Sequence, residues 1–108
     1  MNKGDVWLVQ LPQTNGHEQA GTRPVVILRE TEANIAVVIP FTSNIQALRF
    51  PHTLEIRPSK ENGLKDISVA LVFQIRAIDK KRLVRRAGKL SAKSLEKVDS
   101  MLKKLLGL

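Results

Sequence analysis

Two β-branched runs, RPVVILRE at 23–30 and ANIAVVIPFTS at 33–43, are separated only by a short acidic turn. Branching at Cβ stiffens the side chain and favours pleated sheet over helix. Two such runs joined so briefly predict an antiparallel hairpin at the centre of the fold. That pairing sets the start of the first run beside the end of the second. Arg23 is therefore expected near Thr42 and Ser43.

Other strands are expected around this hairpin. DVWLVQL (5–11) mixes apolar and polar positions in a β-rich composition and stops at Pro12. HTLEIRP (52–58) alternates, with Leu54 and Ile56 on one face and Thr53, Glu55 and Arg57 on the other. ISVALVFQIRAI (67–78) is long enough for one bent strand or two consecutive ones. Between these two stretches SKENGLKD is turn chemistry, with Asn62-Gly63 tolerating positive φ. The period changes after Ile78. Asp79 predicts a cap for a short helix over KKRLVRR, with Gly88 as its stop. Ser91 then caps AKSLEKVDSMLKKLLG, which puts Leu95, Val98, Leu102, Leu105 and Leu106 on one face and ends at Gly107. The expected architecture is one domain over 1–108, mainly β with C-terminal α: a strongly bent antiparallel sheet of five to seven strands, followed by a helix.

Composition removes several function classes. The chain has no cysteine, which excludes disulfides, thiolate nucleophiles and cysteine–zinc sites. Two histidines argue against a histidine-rich metal centre, and neither a metal nor a cofactor is expected. The N-terminus carries no apolar signal segment, and no run nears the ~20 residues of a membrane span. A cytoplasmic protein without membrane contact is the expectation. Trp7 and three phenylalanines, with no tyrosine, leave few platforms on which bases could stack.

Charge is distributed unevenly. Residues 1–75 hold seven Lys/Arg and seven Asp/Glu, whereas residues 76–108 hold eleven Lys/Arg against three acids, so the net +8 lies in the last third. That asymmetry fits a polyanion or an acidic protein as partner, or else a solvated helical face. Arg76, Arg82, Arg85 and Arg86 are the cations there that could line a nucleic-acid groove or hold an acidic chain.

The stretch NGHEQAGTRP (15–24) is long and polar for a hairpin loop. It carries His17, Glu18, Gln19 and Arg23, and Pro24 holds Arg23 in extended backbone. These groups, with Thr42, suit metal-free RNA cleavage, in which the 2′-hydroxyl attacks the adjacent phosphate. Arg23 can bind two phosphate oxygens and stabilise developing charge. Histidine titrates near ~6.5, the range most useful for acid–base catalysis. Thr42 can donate to a non-bridging oxygen. The plain alternatives are a solvated loop histidine, a surface arginine and a hydroxyl that caps a strand end.

At these residues the chain resembles the MazF/PemK toxins of bacterial toxin–antitoxin systems. GDVWLVQLPQTNGHEQAGTRPVVIL (4–28) is similar to the family's opening motif, with Pro12 one position early. IPFTS (39–43) and SVALVFQIRAIDKKRL (68–83) resemble its second and third motifs, and AGKLSAKSLEKVDSMLKKLLGL resembles its tail. GHEQAGTRP is especially close to the PemK/Kid branch. The resemblance implies an SH3-like barrel of CcdB/PemK type with C-terminal helix, acting as a homodimer. It also implies a metal-independent, sequence-specific endoribonuclease that cuts single-stranded mRNA to 2′,3′-cyclic phosphate and 5′-hydroxyl ends. Its neutralising partner would be a cognate antitoxin with an acidic, flexible tail. The family's catalytic arginine and threonine fall on Arg23 and Thr42, and the PemK/Kid histidine on His17. Glu18, Gln19 and Gln74 fall on RNA-groove positions, beside which Ser43 and Arg76 are further RNA-binding candidates.

The third motif departs from the family. The PemK branch places an arginine and an aspartate just before the glutamine, where this chain has Leu71 and Phe73. An acid–base pair from that strand cannot operate here. Phe73 is expected to pack in the barrel, with base stacking as the alternative. Two other readings stay open: a gyrase-binding toxin like CcdB, and a non-catalytic RNA-binding barrel.

Overall fold

The structure, a computed structural model, describes residues 1–11 and 21–108. Among the described residues, seven strands and one α-helix occur in this order: β1 (Asp5–Leu11), β2 (Gly21–Glu30), β3 (Ile35–Thr42), β4 (Thr53–Ile56), β5 (Ser68–Leu71), β6 (Arg76–Asp79), β7 (Leu83–Lys89) and α1 (Ala92–Leu106). The expected central hairpin is β2–β3, paired antiparallel with Val25 opposite Pro40 and Val26 opposite Ile39. The sheet runs β4-β5-β3-β2-β1-β7, with β6 also paired to β3.

β3 carries the architecture because both of its edges are bonded. β2 takes one edge, while β6 and β5 lie end to end along the other: Ile35–Val38 face β6, and Phe41 and Thr42 face β5. The long run 67–78 thus forms two consecutive strands, separated by a 3-10 turn at Val72–Gln74. Neighbouring positions on β2 bury on opposite sides of the bent sheet. Val26 joins Ile39, Phe41, Ile56, Val72 and Val98 in one core, and Val25 and Ile27 join Val9, Val38 and Ile78 in another. Burial on both faces explains why these strands read as continuous apolar runs rather than alternating ones.

The helix expected over KKRLVRR does not form. Asp79 does cap, accepting from Lys81 N–H at 2.9 Å, but the turn stops at Arg82 and Leu83–Lys89 is strand. The cause is tertiary. Val6 and Val9 of β1 are fully buried, so the outer edge of their strand needs a second ladder, and β7 supplies it through two register shifts. Gly88 is accordingly no helix stop but a point of close approach. A Cβ there would lie 2.1 Å from the Glu61 carbonyl oxygen, and one on Gly63 would lie 2.1 Å from that of Ala87. Lys89 N–H donates to Glu61 O at 2.9 Å, so the loop after β4 bridges to β7 where the strands themselves do not pair. Asn62 shapes that loop from within: its side-chain oxygen accepts from Ser59 and Leu64 N–H, and its amide donates to the Arg57 carbonyl.

α1 forms as expected, with Ser91 Oγ accepting from Ser94 N–H at 3.1 Å and Gly107 closing it in left-handed geometry. Val98 is buried, and Met101, Leu102 and Leu105 pack against the first core, whereas Leu106 turns outward. Among the described residues no helix is long and apolar enough to cross a membrane. Near the N-terminus, Asp5 is buried, accepts from Asn2 N–H at 2.9 Å and pairs with Arg86 at 3.3 Å. Burial raises its carboxyl pKa, but the Asn2 and Arg86 hydrogen bonds and the arginine charge outweigh that and hold it below the usual carboxylate value.

This packing has two measurable consequences. Gly88→Ala forces two backbone segments apart and is expected to cost about 1–3 kcal/mol, read as a lower urea midpoint. Asp5→Asn removes a carboxylate whose folded-state pKa is depressed, so the stability it contributes is present above the unfolded pKa and lost as pH falls. The melting temperature of the variant should lie below wild type at pH 7, and the gap should narrow as pH drops below about 4. A gap independent of pH would contradict the assignment.

Candidate functional site

Arg23 is placed by the β2–β3 register. Val25 faces Pro40, so two residues back along β2 and two forward along β3 bring Arg23 and Thr42 to the same end of the hairpin. Both line one cavity of about 260 Å³, together with Ser43, Lys65, Asp66 and Arg85. Arg23 is exposed and Thr42 buried. Thr42 Oγ1 accepts from Asn44 N–H at 3.2 Å, so the hydroxyl does help to satisfy the strand end. A hydroxyl that accepts still has its proton to donate. Among the described lining residues, Arg23, Lys65 and Arg85 outweigh Asp66 and make the cavity net positive. That is the electrostatic requirement for holding a phosphate and for stabilising the extra charge of a phosphorane.

Lys65 and Asp66 come from the loop that Asn62 organises, and Arg85 comes from β7, the strand whose sequence reads as helix. Neither Lys65 nor Asp66 stands out in the sequence. The Asn62-Gly63 turn just before them is the available signal, since a turn shaped by a buried polar side chain fixes the position of its neighbours. Arg85 is visible there only as one of several cations in the last third.

A second recess, about 490 Å³, is also bordered by Thr42 and is lined by Asn44, Arg49, Phe50, Phe73 and Gln74. Gln74 ends the 3-10 turn between β5 and β6, and Arg76 lies just beyond it on β6, opposite Val38. Gln74 and Arg76 share a smaller hollow with Phe73. The expectation that Phe73 packs in the barrel is overturned. The 3-10 turn breaks the strand period, so that Val72 takes the buried position and Phe73 is left exposed, its ring 5.8 Å from that of Phe50. Leu71 is buried with Ala47 and Val69. Elsewhere on the surface, Arg86 is committed to Asp5 and Lys80 to Glu30, at 3.3 and 2.6 Å.

His17, Glu18 and Gln19 lie outside the described residues. The two ends of their segment, Leu11 and Gly21, are paired with one another, two residues from Arg23. Among the described residues no group of three His, Cys, Asp or Glu side chains could hold a metal ion.

Known proteins resemble this chain in both sequence and fold. A protein from Staphylococcus saprophyticus, Endoribonuclease MazF, is 38% identical across 112 aligned positions, covering 100% of this chain and 92% of that protein. The crystal structure of MazF from Deinococcus radiodurans superposes with a TM-score of 0.81 at 25% identity, over 100% of this chain and 97% of that one. An endoribonuclease from a mycobacterial species, solved in complex with its cognate antitoxin, shares the fold at TM-score 0.76 and 19% identity, over 98% of this chain and 94% of that one. The family model for the PemK-like, MazF-like toxin of type II toxin–antitoxin systems matches residues 2–106, and the chain belongs to that family.

Proposed function

We propose that this chain is the endoribonuclease toxin of a type II toxin–antitoxin pair and cuts single-stranded RNA without a metal ion. The observation that carries this reading is the cavity at the end of the β2–β3 hairpin, where Arg23 and Thr42 meet under a positive lining. The staphylococcal relative, an endoribonuclease by name and aligned over the full length of this chain, supports it.

The reaction is transfer of phosphorus within the substrate. The 2′-oxygen of the upstream ribose bonds to phosphorus, the bond from phosphorus to the 5′-oxygen breaks, and a 2′,3′-cyclic phosphate and a 5′-hydroxyl result. One proton leaves the 2′-hydroxyl and one arrives at the 5′-oxygen. Arg23 neutralises the non-bridging oxygens as charge accumulates, and Thr42 donates a hydrogen bond to one of them. With Leu71 and Phe73 in the third motif, no acid–base pair comes from that strand, and His17 carries the proton transfer. Glu18, Gln19, Ser43, Gln74 and Arg76 contact the RNA on either side of the scissile phosphate. The chain acts as a homodimer in the cytoplasm. A cognate antitoxin with an acidic tail inhibits it by covering the same positive surface; that a mycobacterial endoribonuclease of this fold is complexed with its cognate antitoxin supports an antitoxin as partner.

Purified protein should cut a long mixed-sequence RNA in excess EDTA, leaving 2′,3′-cyclic phosphate ends by mass spectrometry. Cleavage that requires added metal would contradict the mechanism. Arg23→Ala should slow cleavage about 10²–10³-fold, the loss expected for a donor to developing charge, with a smaller loss for Thr42→Ala. His17→Ala should slow it roughly 10²–10⁴-fold and change the shape of the pH–rate profile. An unchanged rate and profile would exclude His17 from the reaction.

A further inference from the structure

The second recess bordered by Thr42 is unusual in its aromatics. The chain has three phenylalanines and no tyrosine. Phe41 is fully buried, yet Phe50 and Phe73 are 44% and 37% exposed and lie against each other, ring centroids 5.8 Å apart and planes inclined at 53°. The guanidinium of Arg49 sits over the Phe50 ring at 5.0 Å. Two of the few aromatic side chains are thus held at the surface by one another and by a cation, at the edge of a cavity that Thr42 also lines.

We propose that Phe50 and Phe73 form a stacking platform for one unpaired RNA base, while the phosphate next to that base sits at Arg23 and Thr42. The inference rests on the endoribonuclease reading and adds to it the subsite that engages a base. Every nucleobase has an apolar face that stacks on an aromatic ring, and single-stranded RNA presents such faces unpaired. Thr42 borders both cavities, so a strand passing it can set a phosphate in the first and the adjoining base in the second. The chemistry of the rim agrees. The Asn44 side-chain oxygen caps the adjoining 3-10 turn by accepting from Gln46 N–H, and its amide retains N–H donors for a base edge. Among the described residues no carboxylate lines the recess, and Arg49 adds positive charge to it. A polyanion fits this lining. Ile45 and Leu48 extend apolar surface along the same turn, which makes a second copy of this chain the competing occupant.

The test is binding of 2′-fluoro nine-nucleotide homopolymers of A, C, G and U, and of an abasic strand of equal length, measured by fluorescence anisotropy. The fluorine removes the attacking hydroxyl, so binding is read without cleavage. At least one base-bearing strand should bind more tightly than the abasic one. Phe73→Ala should weaken that strand roughly 5- to 150-fold, Phe73→Trp should restore it, and the abasic strand should not distinguish the three proteins. Equal affinity of wild type and Phe73→Ala for every base overturns the platform. So does an equal loss on the abasic strand, or a change in oligomeric state by sedimentation, which would assign the recess to a second copy. Platform-dependent binding without any RNA cleavage would refute the endoribonuclease reading alone. Cleavage with binding indifferent to Phe73 would refute the platform alone.

Discussion

The fold depends on β3 being bonded along both edges. One edge takes β2, and that ladder fixes which residues meet at the end of the hairpin. The other edge takes β6 and then β5, and the change of partner falls at the 3-10 turn over Val72–Gln74. A shift of one residue in the β2–β3 register would exchange the two cores, because Val25 and Val26 bury on opposite sides. Register is therefore held by burial on both faces, and the position of Arg23 beside Thr42 is inherited from it. The site needs no separate device to bring these two residues together.

The remaining wall of the site has a different origin. Among the described residues the sheet does not close strand to strand, and the gap is spanned by backbone lying on backbone between the loop after β4 and β7. Gly63 and Gly88 permit that approach, Lys89 N–H donates across it to Glu61 O, and Asn62 holds the loop in shape with side-chain bonds to its own backbone. The same contact delivers Lys65, Asp66 and Arg85 to the cavity. Closure of the fold and the positive lining of the site are two consequences of one arrangement.

The β-branched runs at 23–30 and 33–43 were enough to read the hairpin, and from it the Arg23–Thr42 pairing, because antiparallel geometry leaves little choice. Ser91 and Gly107 marked the ends of α1 because caps act through local chemistry. The features that escaped the sequence are non-local. KKRLVRR looks helical by charge and capping, but the buried β1 edge needs a partner, and only the folded chain shows that need. Phe73 looks like a core residue in an apolar run, and three residues of 3-10 turn are enough to turn it outward. Gly88 resembles a stop because its crowding comes from residues distant in sequence, Glu61 and Asn62. His17, Glu18 and Gln19 are legible only as residue types and by resemblance.

Everything proposed for the reaction turns on Arg23 and Thr42 holding one phosphate between them. A crystal structure of the protein with a single-stranded 2′-fluoro RNA tests this most directly. One backbone phosphate is expected with its non-bridging oxygens about 2.7–3.1 Å from both the Arg23 guanidinium and Thr42 Oγ1. RNA bound with no phosphate in reach of either residue would contradict it.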